Sequence, residues 1–222
     1  MSLLSALCRR APTEPAEAAA ALRLHLPGDP RRADVERFIH AVYRRRYGAT
    51  VRAFAPALVS LADPDGAIVA AAGYRSAAAG PLYLERYLGE PVEEALAPHA
   101  GRPLSRREVV EIGHLAAGRA GAGRRLMVLL GPHLAQARFR WGVATLTLEL
   151  RQLLARMGIA PLVLAPADPD LLAEEARQWG SYYEHQPVVL AAEIAPVLRR
   201  LAAGAVQAAS AAEATAAQER GA

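Results

Sequence analysis

At 222 residues, with 53% hydrophobic but only 5% aromatic side chains, the chain is long enough for one good core, with or without tails. Its formal charge of +4 and pI of about 9.6 rest on arginine alone, since Lys and Asn are absent, and with no aromatic-interleaved basic patch or recognition-helix pattern a nucleic-acid partner is not expected. A single cysteine, Cys8, excludes an intrachain disulfide or a cysteine metal cluster, and no run nears the roughly 18 apolar residues of a membrane span.

The apolar stretch ahead of Arg9 is too short for a signal peptide, so the chain reads as soluble and cytoplasmic, with membrane association not expected. Residues 1 to 20 mix Pro and Ala with acids and read as a flexible leader. Leu22 to Leu26 alternates as a strand, broken by the P-G-D-P of Pro27 to Pro30. Asp34 is positioned to cap a helix in which Val35, Phe38, Ile39 and Val42 recur at helical spacing. That helix closes on the cations Arg44 to Arg46 and stops at Gly48. Ala57 to Ala62 and Ala67 to Ser76 flank the turn D-P-D-G and predict a hairpin. An aromatic-rich segment, Leu82 to Leu88, precedes a short helix over Pro91 to Leu96.

Val109 to Ala117 is β-branched and apolar with one embedded acid, Glu111. Gly118 to Gly123 carries three glycines and an arginine, and from Arg124 on Leu126, Leu129, Leu130 and Leu134 share one helical stripe. A strand, a glycine-rich loop and a helix start make either a tight connection or an anion site. In the second case free backbone N–H groups at the helix N-terminus receive phosphate, pyrophosphate or carboxylate. The absence of Lys excludes a P-loop, and without a βαβ context the stretch is not a dinucleotide fingerprint.

Downstream, Trp141 to Leu146 is a strand and Glu149 to Met157 a helix ended by Gly158. Pro161 to Leu164 is the next strand, Asp170 to Trp179 a helix, and Pro187 to Ile194 the closing strand, with a short helix from Pro196. The order β-α-β-β-(α)-β-α-β-α-β-α-β describes one mixed α/β domain over residues 21–202. A low-complexity Ala-rich tail over residues 203–222 follows, flexible or a frayed helix.

That order, with a hairpin first and a strand–loop–helix in the middle, resembles the GNAT superfamily of acyltransferases, whose loop after the central strand binds the pyrophosphate of coenzyme A. The superfamily's usual loop is R/Q-x-x-G-x-G/A, whereas Arg119 to Gly123 (R-A-G-A-G) has one spacer fewer. Leu153 to Ile159 (L-L-A-R-M-G-I) resembles the superfamily's later helix, which ends in a Gly-Phe-like pair. Five segments in order, Phe38 to Ala49, Tyr83 to Leu96, Val110 to Ala117, Trp141 to Ile159 and Trp179 to Val189, resemble the thermostable hemolysin family over roughly residues 22 to 195. Where that family usually reads E-I-G-N-L, this chain has His114. The L-E-x-x-L and V-E-I-G segments also resemble the acyl-homoserine-lactone synthases, which take acyl chains from carrier protein. By that resemblance Glu111 matches the acid of their E-x-S-R-F strand, with Gly113-His114 in place of Ser-Arg. The fold implied is a single-domain GNAT-like α/β fold with a mixed sheet and flexible termini.

The candidate catalytic residues are Glu111, Glu85, His114 and Tyr183. Glu111 sits among apolar neighbours, where a carboxylate is costly unless paired or raised in pKa, and it is positioned as general base for an incoming amine. The other reading is a carboxylate facing solvent or pairing a structural arginine such as Arg75 or Arg119. His114 lies three residues on, hence on the opposite sheet face of a regular strand, and reaches Glu111 only across a bulge. It is a catalytic or a structural histidine. Glu85 orients an amine substrate or is a surface acid on an edge strand, and Tyr183, in W-G-S-Y-Y, is a proton donor to a leaving thiolate or core with a polar handle. Gly118, Arg119, Gly121, Gly123 and Arg124 would hold a phosphate of coenzyme A or of phosphopantetheine, and Thr145 and Thr147 end the next strand with hydroxyls. No His/Asp/Glu cluster has metal-ligand spacing, so no metal is expected.

The expected activity is transfer of an acyl group from acyl-CoA or from the phosphopantetheine of acyl carrier protein to a small-molecule amine or similar nucleophile. Carrier protein is then a partner. Two alternatives stand beside it. The family name implies a membrane-active hemolysin, which needs an amphipathic or spanning element where this chain has helices that read as core. A GNAT scaffold without catalysis is the other.

Overall fold

Strand alternation divides the apolar side chains between the two faces of one seven-stranded sheet. The computed structural model describes residues 21–204 and residue 207. Its strands are β1 (Arg23–His25), β2 (Ala57–Ala62), β3 (Ile68–Ser76), β4 (Val109–Ala117), β5 (Trp141–Leu146), β6 (Leu162–Pro166) and β7 (Val188–Glu193), in the spatial order β1-β2-β3-β4-β5-β7-β6. Every neighbouring pair is antiparallel except β4 and β5, which run parallel. The helices are α1 (Arg32–Tyr47), α2 (Val92–Ala100), α3 (Ala122–Gln136) and α4 (Leu148–Arg156), followed by a closing helix over residues 194–204. The leader expected over residues 1–20, and the tail expected over 203–222 apart from residues 203, 204 and 207, lie outside the described residues. No helix among the described residues is long and apolar enough to cross a membrane.

On one face, α1 lays Val35, Ile39 and Tyr43, each four apart, against Leu58, Ala71 and Ala116. Beside that cluster a second one joins Leu84, Val92 and Leu96 to Val109, Trp141 and Val143. The opposite face carries α3, whose Leu126, Leu130 and Leu134 are almost fully buried against Val59, Ala70, Ala72 and Val110, and α4, whose Leu154 packs with Ala144 and Leu146. Each buried leucine of such a stripe contributes about 1.5–3 kcal/mol by transfer from water.

Local signals misjudge three places. Asp34 does not cap α1; the helix begins at Arg32, and the carboxylate of Asp29 accepts the backbone N–H of Arg31 at 2.8 Å. Helix α3 begins at Ala122, two residues before the predicted Arg124, because Gly121 turns the chain at φ +79°. The helix expected over Asp170 to Trp179 is instead a run of 3-10 turns over Pro169–His185, kinked at Ala173 (φ +48°) and Gly180 (φ +54°). Gly48 does end α1 as read, with its N–H on Arg44 O and φ +67°.

The kink at Gly180 lets this segment lie directly on the end of α1. A Cβ there would stand 2.0 Å from the carbonyl oxygen of Tyr47, and Ser181 Oγ donates to the same oxygen at 3.3 Å. Replacing Gly180 by Ala is expected to cost roughly 3 kcal/mol from combined clash and backbone strain. A urea or thermal unfolding curve of Gly180→Ala within experimental error of wild type would contradict this close approach.

Candidate active site

Two irregularities in β4 create the site. First, β4 and β5 pair only from Val109 opposite Trp141 to Glu111 opposite Val143, and from Ile112 onward β4 has no partner on that side. The unpaired edge leaves a slot between the strands. Second, β4 is bulged against β3. Gly113 faces Gly73 and Ala116 faces Ala71, so His114 and Leu115 together oppose Ala72. His114 occupies the left-handed region at φ +53°. The extra residue inverts the alternation: Val110, Ile112 and Leu115 face α3, whereas Glu111, Gly113, His114 and Ala116 face the α1 side. His114 is therefore on the same face as Glu111, not the opposite one expected of a regular strand.

A cleft of about 390 Å³ opens on that face between the two clusters. Its floor is Arg75, Glu111, Gly113, His114 and Thr145; its walls are aromatic, including Tyr43, Phe54, Tyr83, Trp179 and Tyr182. The aromatic wall is held together by hydrogen bonds. Trp179 Nε1 donates to Tyr83 Oη at 3.0 Å, Tyr182 Oη donates to the carbonyl of Thr145 at 3.0 Å, and the Tyr87 and Tyr183 hydroxyls are 2.7 Å apart.

Glu111 is fixed at both oxygens. The backbone N–H of Tyr83 donates to one at 2.9 Å and that of Leu84 to the other at 3.0 Å, both from a 3-10 turn over Tyr83–Tyr87. Burial pushes its carboxyl above the usual carboxylate range; the two amides and the nearby charge of Arg75 pull the other way but do not prevail. Arg75 stands directly across the β3–β4 ladder from Glu111.

The other candidates occupy distinct positions. Glu85 is not on an edge strand; it lies in the same 3-10 turn and accepts from the backbone N–H of Leu82 (2.7 Å) and Val92 (2.8 Å) and from Arg106 (2.7 Å). Burial raises its pKa, but Arg106 and the two amides outweigh it and hold the carboxyl below its ordinary range. Arg106 also reaches Glu93 and the carbonyls of Ala77 and Gly80, so Glu85 belongs to the anchor of this turn. His114 Nε2 lies 3.1 Å from the carbonyl of Ala53 and must carry the proton there, while its Nδ1 is buried without a partner against Gly73. Burial lowers its pKa from 6.5 to about 4, opposed by the Ala53 bond and aided by the charges of Arg75 and Arg32. It is neutral at neutral pH. Tyr183 lines the cleft, its pKa raised chiefly by burial.

The glycine-rich loop is separate from this cluster and is not part of the cleft lining. Gly118 donates its N–H to Val69 O at 2.9 Å, and Arg119 pairs with Asp63 at 2.9 Å. Gly123 and Arg124, in the first turn of α3, keep backbone N–H groups with no acceptor among the described residues, and the Arg124 side chain is exposed. The loop follows the unpaired end of β4, at the far end of the slot. On the opposite sheet face a second, apolar cavity of about 100 Å³ lies between α3, α4 and β5; Ile112 borders both cavities. Among the described residues no group of three or more His, Cys, Asp or Glu side chains is arranged to hold a metal ion. Sequence reading missed Arg106, the wall residues Tyr43 and Phe54, and the amides of Tyr83 and Leu84. Arg106 and the two amides act through partners at least 13 residues away or through the backbone, and Tyr43 and Phe54 meet the cleft only through segments folded against them.

Residues 25–198 match the family model described as thermostable hemolysin. No curated protein matches the chain. Among solved structures it is similar to TofI in a ternary complex with an inhibitor and MTA (TM-score 0.55, 16% identity, covering 82% of this chain and 96% of that one). It is likewise similar to the AHL synthase LasI (TM-score 0.53, 14% identity, 79% and 91%). FeeM, an N-acyl amino acid synthase from uncultured soil microbes, matches at TM-score 0.54 and 12% identity, covering 81% and 98%. The shared property is the fold: GNAT-like, with a mixed sheet.

The neutral state of His114 has a measurable consequence. Its folded pKa lies below its unfolded value, so the folded state resists the proton that the unfolded chain takes up. Stability present above about pH 6.5 is therefore lost as pH falls toward about 4. In His114→Asn, which keeps a residue tolerant of positive φ, the fall in unfolding midpoint over this pH window is expected to be shallower than in wild type. Equal slopes would show that other groups carry the acid sensitivity.

Proposed function

The chain belongs to the thermostable hemolysin family, and from that premise and the chemistry of the cleft we propose that it transfers an acyl group from a thioester to a small amine. The observation that carries this reading is Glu111, a carboxylate of raised pKa held by two amides on the floor of the cleft, where β4 and β5 part. The activities named for two proteins of similar fold, acyl-homoserine-lactone synthesis and N-acyl amino acid synthesis, are of the same reaction class.

On this reading the donor is acyl-CoA or the phosphopantetheine of acyl carrier protein. Its thioester supplies an activated carbonyl carbon. The unpaired edge of β4 supports a slender pantetheine arm in the slot. The N–H groups of Gly123 and Arg124, with the Arg124 guanidinium, suit a phosphate at its end. The fit is partial, because Arg119 is engaged by Asp63 and Gly118 by β3. The acyl chain suits the apolar cavity beyond Ile112. In the transfer itself the amine nitrogen attacks the thioester carbon and its proton passes to Glu111. Backbone N–H groups on the free edge of β4 stabilise the oxyanion. As the C–S bond breaks, the leaving thiolate takes a proton from Tyr183, whose anion burial disfavours and which is reprotonated, through solvent in the cleft, by the proton that Glu111 took from the amine. His114, neutral and sealed at Nδ1, holds the bulge to the Ala53 carbonyl and so acts as a positioning residue.

Co-expression with an acyl-activating enzyme, followed by a mass-spectrometric search for acylated amines, tests this. Wild type is expected to yield product and Glu111→Gln about 10²–10⁴-fold less. The glutamine also turns an NH2 toward one of the two amides, so a stability loss of roughly 1–3 kcal/mol is expected and is measured in parallel. Undiminished product from Glu111→Gln would remove Glu111 from the chemistry. Purified protein is expected to release no dye from lipid vesicles at sub-micromolar concentration, and efficient leakage would promote the membrane-active alternative.

A further inference from the structure

The charges lining the cleft are equal in number but not all paired. Beside the neutral His114, its charged side chains are Arg52, Arg75, Arg86, Glu85, Glu111 and Glu175. Arg86 pairs with Glu175 and stacks 4.5 Å from the centre of the Tyr83 ring, and Glu85 is consumed by Arg106. Glu111 accepts two backbone N–H groups and forms no ion pair among the described residues. The side chains of Arg75 and Arg52 make no hydrogen bond and no ion pair among the described residues. Arg52 is exposed at the cleft mouth, but Arg75 is half-buried on the floor, one strand from Glu111. A half-buried guanidinium that opens into an aromatic-walled cleft with its donors unused is a receptor for a planar anion that takes its two-pronged donor set.

We infer that Arg75 anchors a carboxylate carried by the acceptor, so that the amine acylated in this cleft is that of an apolar or aromatic α-amino acid. The inference rests on the acyl-transfer reading of the same site. Cross-strand side chains at directly opposed positions start about 4.5–5.5 Å apart. One small molecule can therefore meet both, its carboxylate on Arg75 and its amine, two bonds away, toward Glu111. The side chain of the acceptor then projects against Phe54, Tyr83, Trp179 and Tyr182, and the cleft volume of about 390 Å³ is within the range of small-molecule sites. A simple alkyl or aryl amine would leave Arg75 without an anion. A dicarboxylic acceptor would set a second carboxylate against a wall of rings.

The test separates the anchor from the reaction. Binding of phenylalanine and of phenethylamine to the purified full-length protein is measured by calorimetry without any acyl donor. The two probes differ only in the carboxylate. Phenylalanine is expected to bind about 10–100-fold more tightly, the range for one charge-assisted contact. Arg75→Met, which keeps the chain length and removes the charge, is expected to erase that preference, and Arg75→Lys to restore part of it. Unfolding midpoints of the variants are measured alongside. Equal binding of the two probes by wild type, a preference for phenethylamine, or no binding of either at millimolar concentration overturns the anchor. The co-expression assay reads the other arm. Acylated amines lacking a carboxylate as the dominant wild-type products would overturn the anchor while leaving acyl transfer standing. A carboxylate preference that depends on Arg75, in a protein that yields no acyl product, would keep the anchor and sink the acyl-transfer reading.

Discussion

Between Glu111 and Ala117 the central strand loses its regular relation to both neighbours, and the site depends on that loss. On the β5 side pairing stops at Glu111; on the β3 side one residue too many is inserted at His114. A β-strand offers a functional site little room, because its edges are consumed by hydrogen bonds and its side chains alternate strictly. Parting from β5 frees an edge of backbone donors. The bulge shifts the alternation so that Glu111, Gly113 and His114 all open onto one cleft. Gly113 and Gly73, opposed across the ladder, keep this part of the floor low, and a Cβ on Gly73 would meet His114 Nδ1 at 2.9 Å.

Glu111 joins the two halves of that cleft wall. Its carboxylate ties the 3-10 turn over Tyr83–Tyr87 to the sheet, and the same turn is clamped from behind by Glu85 and Arg106. The two glutamates sit close in one segment of structure yet titrate in opposite directions. Glu85 is held low by a guanidinium and two amides; Glu111 is raised because burial exceeds the pull of its amides and of an unbonded Arg75. Environments that push two acids apart in this way fit the proposed division, Glu85 as anchor and Glu111 as base. The arrangement leaves one carboxylate whose affinity for a proton burial has raised, while the other is held below its ordinary range and holds the scaffold.

The family is described by lysis, whereas the fold is that of acyl-transferring synthases. The aromatic cleft, the slot beside β4 and the apolar cavity across the sheet offer the enclosed space that the proposed acyl transfer would need. Their large side chains are spent on lining cavities and on core packing.

Much of this molecule was legible in the chain. The order of strands and helices, the hairpin at Asp63 to Gly66, the stop at Gly48 and the stripe of α3 follow from periodicity and turn chemistry, which act over a few residues. Glu111 stood out because an acid in an apolar strand must be explained by a partner. What the chain did not reveal are relations between distant segments. Whether His114 shared a face with Glu111 depended on a bulge that only pairing with β3 defines. Whether Glu85 was a reagent or an anchor depended on Arg106, 21 residues away. That the segment after Asp168 would kink into 3-10 turns depended on Gly180 meeting the carbonyl of Tyr47. The amphipathic pattern of the sequence determined which residues are buried. Only the tertiary structure decided which charges were left without partners, because a charge is neutralised by what folds beside it and not by what precedes it in the chain.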